Sequence, residues 1–253
     1  MKIKYYLPVI LLTFTFYSAV SQSKMKPSET EVWEPEPSMV NPGSTPFQSP
    51  PEDAIALFDG NDLNQWKKPG RENMDRKAAD WTVSNSEFTV RRGAGPIETD
   101  RSFGSIQLHI EWRSPVMEGK TDQGYGNSGI FFMGIYEIQV LNSYENRTYS
   151  NGQAGSIYKQ HIPLVNASRK PGEWQTYDIV FNAPVFKSDG TLDSPATITA
   201  FHNGVLIQNN VELKGPTMYI GIPEYQSHPA KLPLMLQDHG DPVKYRNIWI
   251  REL

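Results

Sequence analysis

The chain reads as an all-β protein, a sandwich of two antiparallel sheets. Three observations predict this. Val, Ile, Phe, Tyr, Trp and Thr gather in short runs, and no long stretch keeps the 3.6-residue period of a helix. The 19 glycines and 20 prolines supply frequent turns. His202-Asn203-Gly204-Val205 is a hairpin signal, because Asn-Gly accepts the positive φ angles of a tight turn.

The strands follow in order. Ala56–Phe58, Trp81–Val83 and Glu87–Val90 open the domain, and Ser105–Arg113 is the longest run. Gly129–Met133 and Ile135–Leu141 flank a tight Gly turn. Trp174–Phe181, Ala196–His202, Val205–Gln208, Leu234–Gln237 and Tyr245–Arg251 complete the set. Many short strands at this spacing suit a two-sheet sandwich.

The 253 residues fit one large β domain or two small ones, and 38% hydrophobic content with 11% aromatic is enough for a core. There are no cysteines, so disulfides, thiolate catalysis and Cys-ligated metals are ruled out. The first residues have the form of a bacterial secretory signal over 1–21. Lys2 and Lys4 precede the apolar Tyr5–Tyr17, and Ser18-Ala19-Val20-Ser21 offers small residues for cleavage. The apolar run is short of the roughly 20 residues a membrane span needs, and no lipoprotein cysteine follows.

A mature chain in the periplasm or outside the cell is therefore expected, with no membrane insertion. Cleavage would remove two lysines, leaving 22 basic against 28 acidic residues and a net charge of −6. Nucleic acid is a poor partner for such a chain; neutral ligands such as sugars fit better. Residues 22–53 are rich in Pro, Glu and Ser and read as a linker or extended arm, with Trp33 and Phe47 available to pack it on the domain. Residues 54–253 form one domain without a second linker.

Residues 125–144 are the most informative stretch. In Ile135–Leu141 the alternation puts Ile138 and Val140 on one face and Glu137 and Gln139 on the other, a plausible floor for a sugar-sized groove. In Ser105–Arg113, Ile106, Leu108, Ile110 and Trp112 share a core face, and His109, Glu111 and Arg113 share a polar one. If the two strands lie in one sheet, His109, Glu111, Arg113, Glu137 and Gln139 gather on one concave surface.

Several separated motifs carry a family resemblance. Phe58-Asp59-Gly60-Asn61-Asp62-Leu63 with Trp66, and Gly126-Asn127-Ser128-Gly129-Ile130-Phe131-Phe132, come first. Tyr136–Leu141, Gly172-Glu173-Trp174-Gln175-Thr176-Tyr177-Asp178, Leu236-Gln237-Asp238-His239-Gly240 and Arg246-Asn247-Ile248-Trp249 follow in order. Together they resemble the DUF1080 family, the 3-keto-disaccharide hydrolase domain, over residues 54–253. The resemblance implies a concanavalin A-like jelly roll acting on small saccharides oxidised at C3. One departure is Met133, where that family usually carries Arg.

Chemistry follows from that implication. A ketone at C3 acidifies the C2 proton, so one base can remove it, the C1 substituent leaves by elimination, and water adds back. Glu137 or Glu111 is the candidate base. His109, Arg113 or Lys159 is a candidate to stabilise the enolate oxygen, and a divalent metal is an alternative, although no ligand spacing marks one. Gln139, Asn127, Gln237, Asp238 and His239 are candidates for substrate contact.

An ordinary retaining glucanase is disfavoured. Jelly-roll glucanases place Glu, Asp and Glu where this chain has Glu137, Gln139 and Asn142, and two amides cannot replace the carboxylates about 5 Å apart which that mechanism needs. A non-catalytic lectin-like module on the same fold is the alternative function, since fold does not fix function.

Overall fold

The computed structural model describes residues 25–41, 49–70 and 76–253. The secretory signal expected at 1–21, and Phe47, lie outside them. No helix among the described residues is long and apolar enough to cross a membrane.

In chain order the strands are β1 (Ile55–Phe58), β2 (Trp66–Lys67), β3 (Thr82–Ser84), β4 (Glu87–Thr89), β5 (Ile97–Phe103), β6 (Ile106–Arg113), β7 (Ser128–Phe132) and β8 (Tyr136–Val140). Then come β9 (Gln175–Asn182), β10 (Val185–Phe186), β11 (Leu192–Ser194), β12 (Thr197–His202), β13 (Val205–Glu212), β14 (Leu232–Leu236) and β15 (Lys244–Glu252). The larger sheet runs β13-β12-β9-β6-β15-β4-β3, with β1 also on β15; the smaller runs β2-β5-β14-β7-β8. β10 and β11 pair separately. The pairings are antiparallel, and the two sheets form a jelly-roll sandwich.

Each expected strand is present within a residue of its bounds, except that β13 runs on to Glu212 and β14 begins at Leu232. Four were not expected: β2, β5, β10 and β11. In β5 the outward residues Glu98 and Asp100 are charged and pair with Arg76 at 2.9 and 2.7 Å, which hides the alternation of Ile97, Thr99 and Phe103. Thr99 is fully buried; its hydroxyl donates to the Arg101 carbonyl at 2.6 Å and accepts from Leu234 N–H at 3.0 Å.

The core lies between the sheets. Leu108, Ile110 and Trp112 of β6 and Tyr177, Ile179 and Phe181 of β9 face Ile130, Phe132, Ile138, Val140, Leu234 and Leu236 of the smaller sheet. Phe132 stacks on Phe181 with centroids 4.6 Å apart. Two tyrosines of the larger sheet cross the core with their hydroxyls. Tyr177 donates to the Gln139 carbonyl at 2.9 Å, and Tyr245 donates to Ser128 Oγ at 2.7 Å, whose hydroxyl in turn donates to the Gln237 carbonyl at 2.7 Å. These bonds tie β8, β7 and the end of β14 to the opposite sheet, so the outer face of the smaller sheet is rigidly placed.

Residues 25–41 lie along the domain. Val32 N–H bonds Asn151 Oδ1 at 3.0 Å, Ser150 N–H bonds the Val32 carbonyl at 2.6 Å, and Met39 pairs with Asn166 as a parallel bridge. Trp33 meets Tyr149 edge-on at 6.1 Å.

Candidate functional site

β8 is the edge strand of the smaller sheet, and its outward residues are Glu137 and Gln139. The segment 155–158 covers the free edge, through Gly155 N–H to the Gln139 carbonyl and Gln139 N–H to the Ser156 carbonyl, both 3.0 Å. Next to β8, β7 sets Gly129 opposite Gln139 and Phe131 opposite Glu137. Next to β7, Gln237 follows β14 and its N–H bonds the Gly129 carbonyl at 3.0 Å. This outer face is the floor of a cavity of about 610 Å³. Gln123 and Asn127 form one wall, Tyr149 and Tyr158 another, and Thr217, Tyr219, His239 and Glu31 close the rest.

Glu137 is 4% exposed, and no described residue hydrogen-bonds its carboxyl. Burial without a partner charge pushes its pKa from 4.5 up to about 8. Its backbone is fixed, with the N–H bonded to Thr217 Oγ1 at 2.9 Å. The carboxyl lies across Gly129: a Cβ built there would overlap Glu137 Oε1 and stand 2.8 Å from Phe131 Cε2. Glycine is used here for close approach, since its backbone is ordinary strand. Gly129→Ala is therefore expected to displace the Glu137 side chain while leaving the fold intact, which a crystal structure of the variant together with a thermal melt would check.

Around this carboxyl the polar groups are oriented. Gln139 Nε2 donates to Gln123 Oε1 at 3.2 Å and its Oε1 accepts Val140 N–H at 3.1 Å; Asn127 Nδ2 donates to the Gln123 carbonyl at 2.8 Å. Gln237 Oε1 is buried and has no partner among the described residues, an acceptor left for a ligand hydroxyl. The Tyr149 and Tyr158 hydroxyls are 2.7 Å apart. One hydrogen makes that bond, so the pair keeps a second hydrogen to donate. Burial raises both phenols, Tyr158 to about 12, so both stay protonated at neutral pH.

Five residues singled out in the sequence thus line one cavity: Glu137, Gln139, Asn127, Gln237 and His239. Lys159 does not line the cavity; its Nζ donates to the Pro27 and Tyr219 carbonyls at 2.8 and 3.0 Å and so holds the arm against a lining residue. Asp238 is turned away; its oxygens accept Gly95 N–H at 3.0 Å and Gly240 N–H at 2.9 Å and hold the turn.

His109, Glu111 and Arg113 do not belong with Glu137. They stand on β6 in the middle of the larger sheet, with their side chains on its outer face, so the single concave surface expected from alternation does not form. Alternation fixes the face of a strand; it carries no information about which sheet the strand joins. There they build a separate network. His109 Nδ1 meets Asp178 Oδ1 at 2.7 Å and its ring stacks on Trp249 at 5.1 Å. Glu111 accepts Arg246 Nε at 2.6 Å and Asn247 Nδ2 at 2.8 Å. Arg113 bonds Glu87 at 2.6 Å, and the guanidiniums of Arg113 and Arg246 lie 4.6 and 4.0 Å from the Trp174 ring.

Met133 is also remote from ligand chemistry. It is buried at the β7–β8 turn with φ of 56°, followed by Gly134 at 68°, and it joins the hydrophobic core. Among the described residues no three His, Asp or Glu side chains converge as metal ligands. The divalent ion considered from the sequence thus finds no matching donor set among the described residues.

Comparison with known proteins adds the family. Residues 53–251 match the model of the 3-keto-alpha-glucoside-1,2-lyase-like domain. The chain belongs to this family. It is 25% identical over 238 residues to a 3-keto-disaccharide hydrolase of Bacteroides thetaiotaomicron, covering 79% of this chain and 78% of that one. A candidate glycosyl hydrolase from Parabacteroides distasonis, solved at 2.13 Å, is 45% identical with a TM-score of 0.77, over 95% of this chain and all of that one. A second from the same organism, at 18% identity and a TM-score of 0.56, shares the fold.

Gln123, Tyr149, Tyr158, Thr217, Tyr219 and Glu31 were not anticipated as site residues. They come from turns and from the N-terminal arm, where no alternation exists to mark a face.

Proposed function

We propose that this chain is an exported hydrolase that cleaves 3-keto-glycosides, with Glu137 as the base. The observation that carries the reading is the Glu137 carboxyl, buried without a hydrogen-bond partner in a cavity lined by amides and hydroxyls. The hydrolase named for keto-disaccharides among its relatives supports the substrate class. Export rests on the form of residues 1–21.

The steps balance as follows. Glu137 carboxylate takes the C2 proton, and the C2–H electron pair moves toward C3, placing negative charge on the C3 oxygen. A hydroxyl of the Tyr149–Tyr158 pair, or the second amide hydrogen of Gln139, can donate to that oxygen; both amide hydrogens of Gln123 are held by Thr148 and the Gly152 carbonyl. As the C3 carbonyl re-forms, a C1=C2 double bond is made and the C1–O bond breaks, its pair leaving with the aglycone oxygen, which takes up a proton. Water then adds its oxygen to C1, Glu137 returns a proton to C2, and the sum is hydrolysis.

The test is aglycone release from purified mature protein supplied with 3-keto-glucosides of either anomer. Because Glu137 must be ionised, kcat/KM is expected to climb as pH rises and to level off above about 8. Substrate deuterated at C2 should react more slowly than its protonated counterpart. Glycan binding without turnover of any keto-sugar would leave a lectin and overturn the enzyme reading.

A further inference from the structure

We propose that the N-terminal arm builds a leaving-group subsite, in which Glu31 accepts hydroxyl protons of a second sugar and Tyr219 stacks on its ring. The inference rests on the functional reading above and goes beyond it, because the family domain begins at residue 53 and the arm lies before it. The arm is locked in place. Asn151 Nδ2 donates to the Thr30 carbonyl at 3.0 Å, Asn151 Oδ1 accepts Val32 N–H at 3.0 Å, and Lys159 Nζ ties Pro27 to Tyr219 through their carbonyls.

Glu31 faces the cavity from this arm, and no described residue hydrogen-bonds its carboxylate. An ionised carboxylate only accepts hydrogen bonds, so its natural partners are donors, which a sugar carries on several adjacent carbons. Tyr219 is 63% exposed, and the Lys159 ammonium holds its ring from 4.8 Å. A ring fixed in this way loses little freedom when a ligand stacks on it.

Depth assigns the subsite. Glu137 is 4% exposed on the floor, so the sugar giving up its C2 proton must sit deep. Glu31 and Tyr219 belong to chain segments at the rim and meet what projects outward, the group on C1. The arm therefore selects a polyhydroxylated leaving group over a small alkyl one.

The experiment compares two substrates on the full mature protein: a 3-keto-disaccharide and the methyl 3-keto-glucoside of the same anomer. Glu31→Ala should cut kcat/KM on the disaccharide about tenfold more than on the methyl glucoside, the scale of one hydrogen bond to a charge. Tyr219→Ala should give the same selective loss. The backbone bonds that fix the arm survive both changes, and a thermal melt reads whether they do. An equal loss on both substrates, a loss on neither, or a fall in Tm that accompanies a general loss would overturn the subsite. A parent protein that cleaves neither substrate would instead sink the functional reading, and the subsite with it.

Discussion

Glu137→Gln is expected to abolish cleavage of a 3-keto-glycoside while making the folded protein more stable. The loss follows from chemistry: an amide cannot take the C2 proton, and removal of a general base typically costs about 10²–10⁴-fold in rate. The gain follows from burial. Glu137 titrates near 8 in the fold against 4.5 in the open chain, so the folded state holds a proton that the unfolded state releases. Between those values stability falls as pH rises, and above about 8 it falls no further. At pH 7 the ceiling on this cost is about 3 kcal/mol, at 1.36 kcal/mol for each pH unit above 4.5. The glutamine carries no such cost. Thermal melts from pH 5 to 9 should show the two proteins diverging as pH rises, and glycan binding should persist in the variant. A variant that keeps its turnover would remove Glu137 from the mechanism.

The second large effect is expected on the opposite sheet, and on stability alone. Glu111→Ala leaves His109, Arg246 and Asn247 without their shared carboxylate; Arg246 is more than a third exposed and His109 keeps Asp178, so the expected cost is about 1.5–3 kcal/mol, the scale of hydrogen bonds to a charge. Activity of the folded variant should stay within about twofold of the parent, because the network and the cavity floor lie on different sheets. The pH dependence has two limbs. Burial alone would raise Glu111, but bonds from His109, Asn247 and Arg246 outweigh it and bring it down to about 2. Its contribution is present above 4.5 and disappears as pH falls toward 2. Burial alone would lower His109, but Asp178 and Glu111 outweigh it and raise it to about 9. That contribution is complete below 6.5 and is lost as pH climbs through 9. Urea melts of parent and Glu111→Ala at pH 3, 6 and 9 would check both limbs: the gap should be widest at pH 6. A large loss of kcat in a stable variant would return Glu111 to the catalytic site.

These two residues also show what the sequence could and could not disclose. Period-two alternation named the core faces of β6 and β8 correctly, and it named Glu137 and Gln139 as the outward pair. The same alternation made His109 and Glu111 look equivalent to them. Strand partners are chosen by long-range pairing, here β6 with β9 and β15 and β8 with β7, and no local pattern encodes that choice. The walls were harder still. Gln123, Tyr158 and Thr217 sit in turns, and Glu31 reaches the cavity across more than a hundred residues of chain. Asp238 misled for a local reason, because an Asp before His-Gly serves its own turn as readily as a ligand.

The docked arm has a consequence for the order in which the molecule can be made. Pro27 is synthesised 132 residues before Lys159, the side chain that grips it, and Val32 precedes Asn151 by 119. The first described segment to leave the ribosome therefore has nothing to hold until β8 and the segment after it have been made. Docking of the arm is thus a long-range contact that is expected to form after the local hairpins, and the cavity gains its outer wall only then.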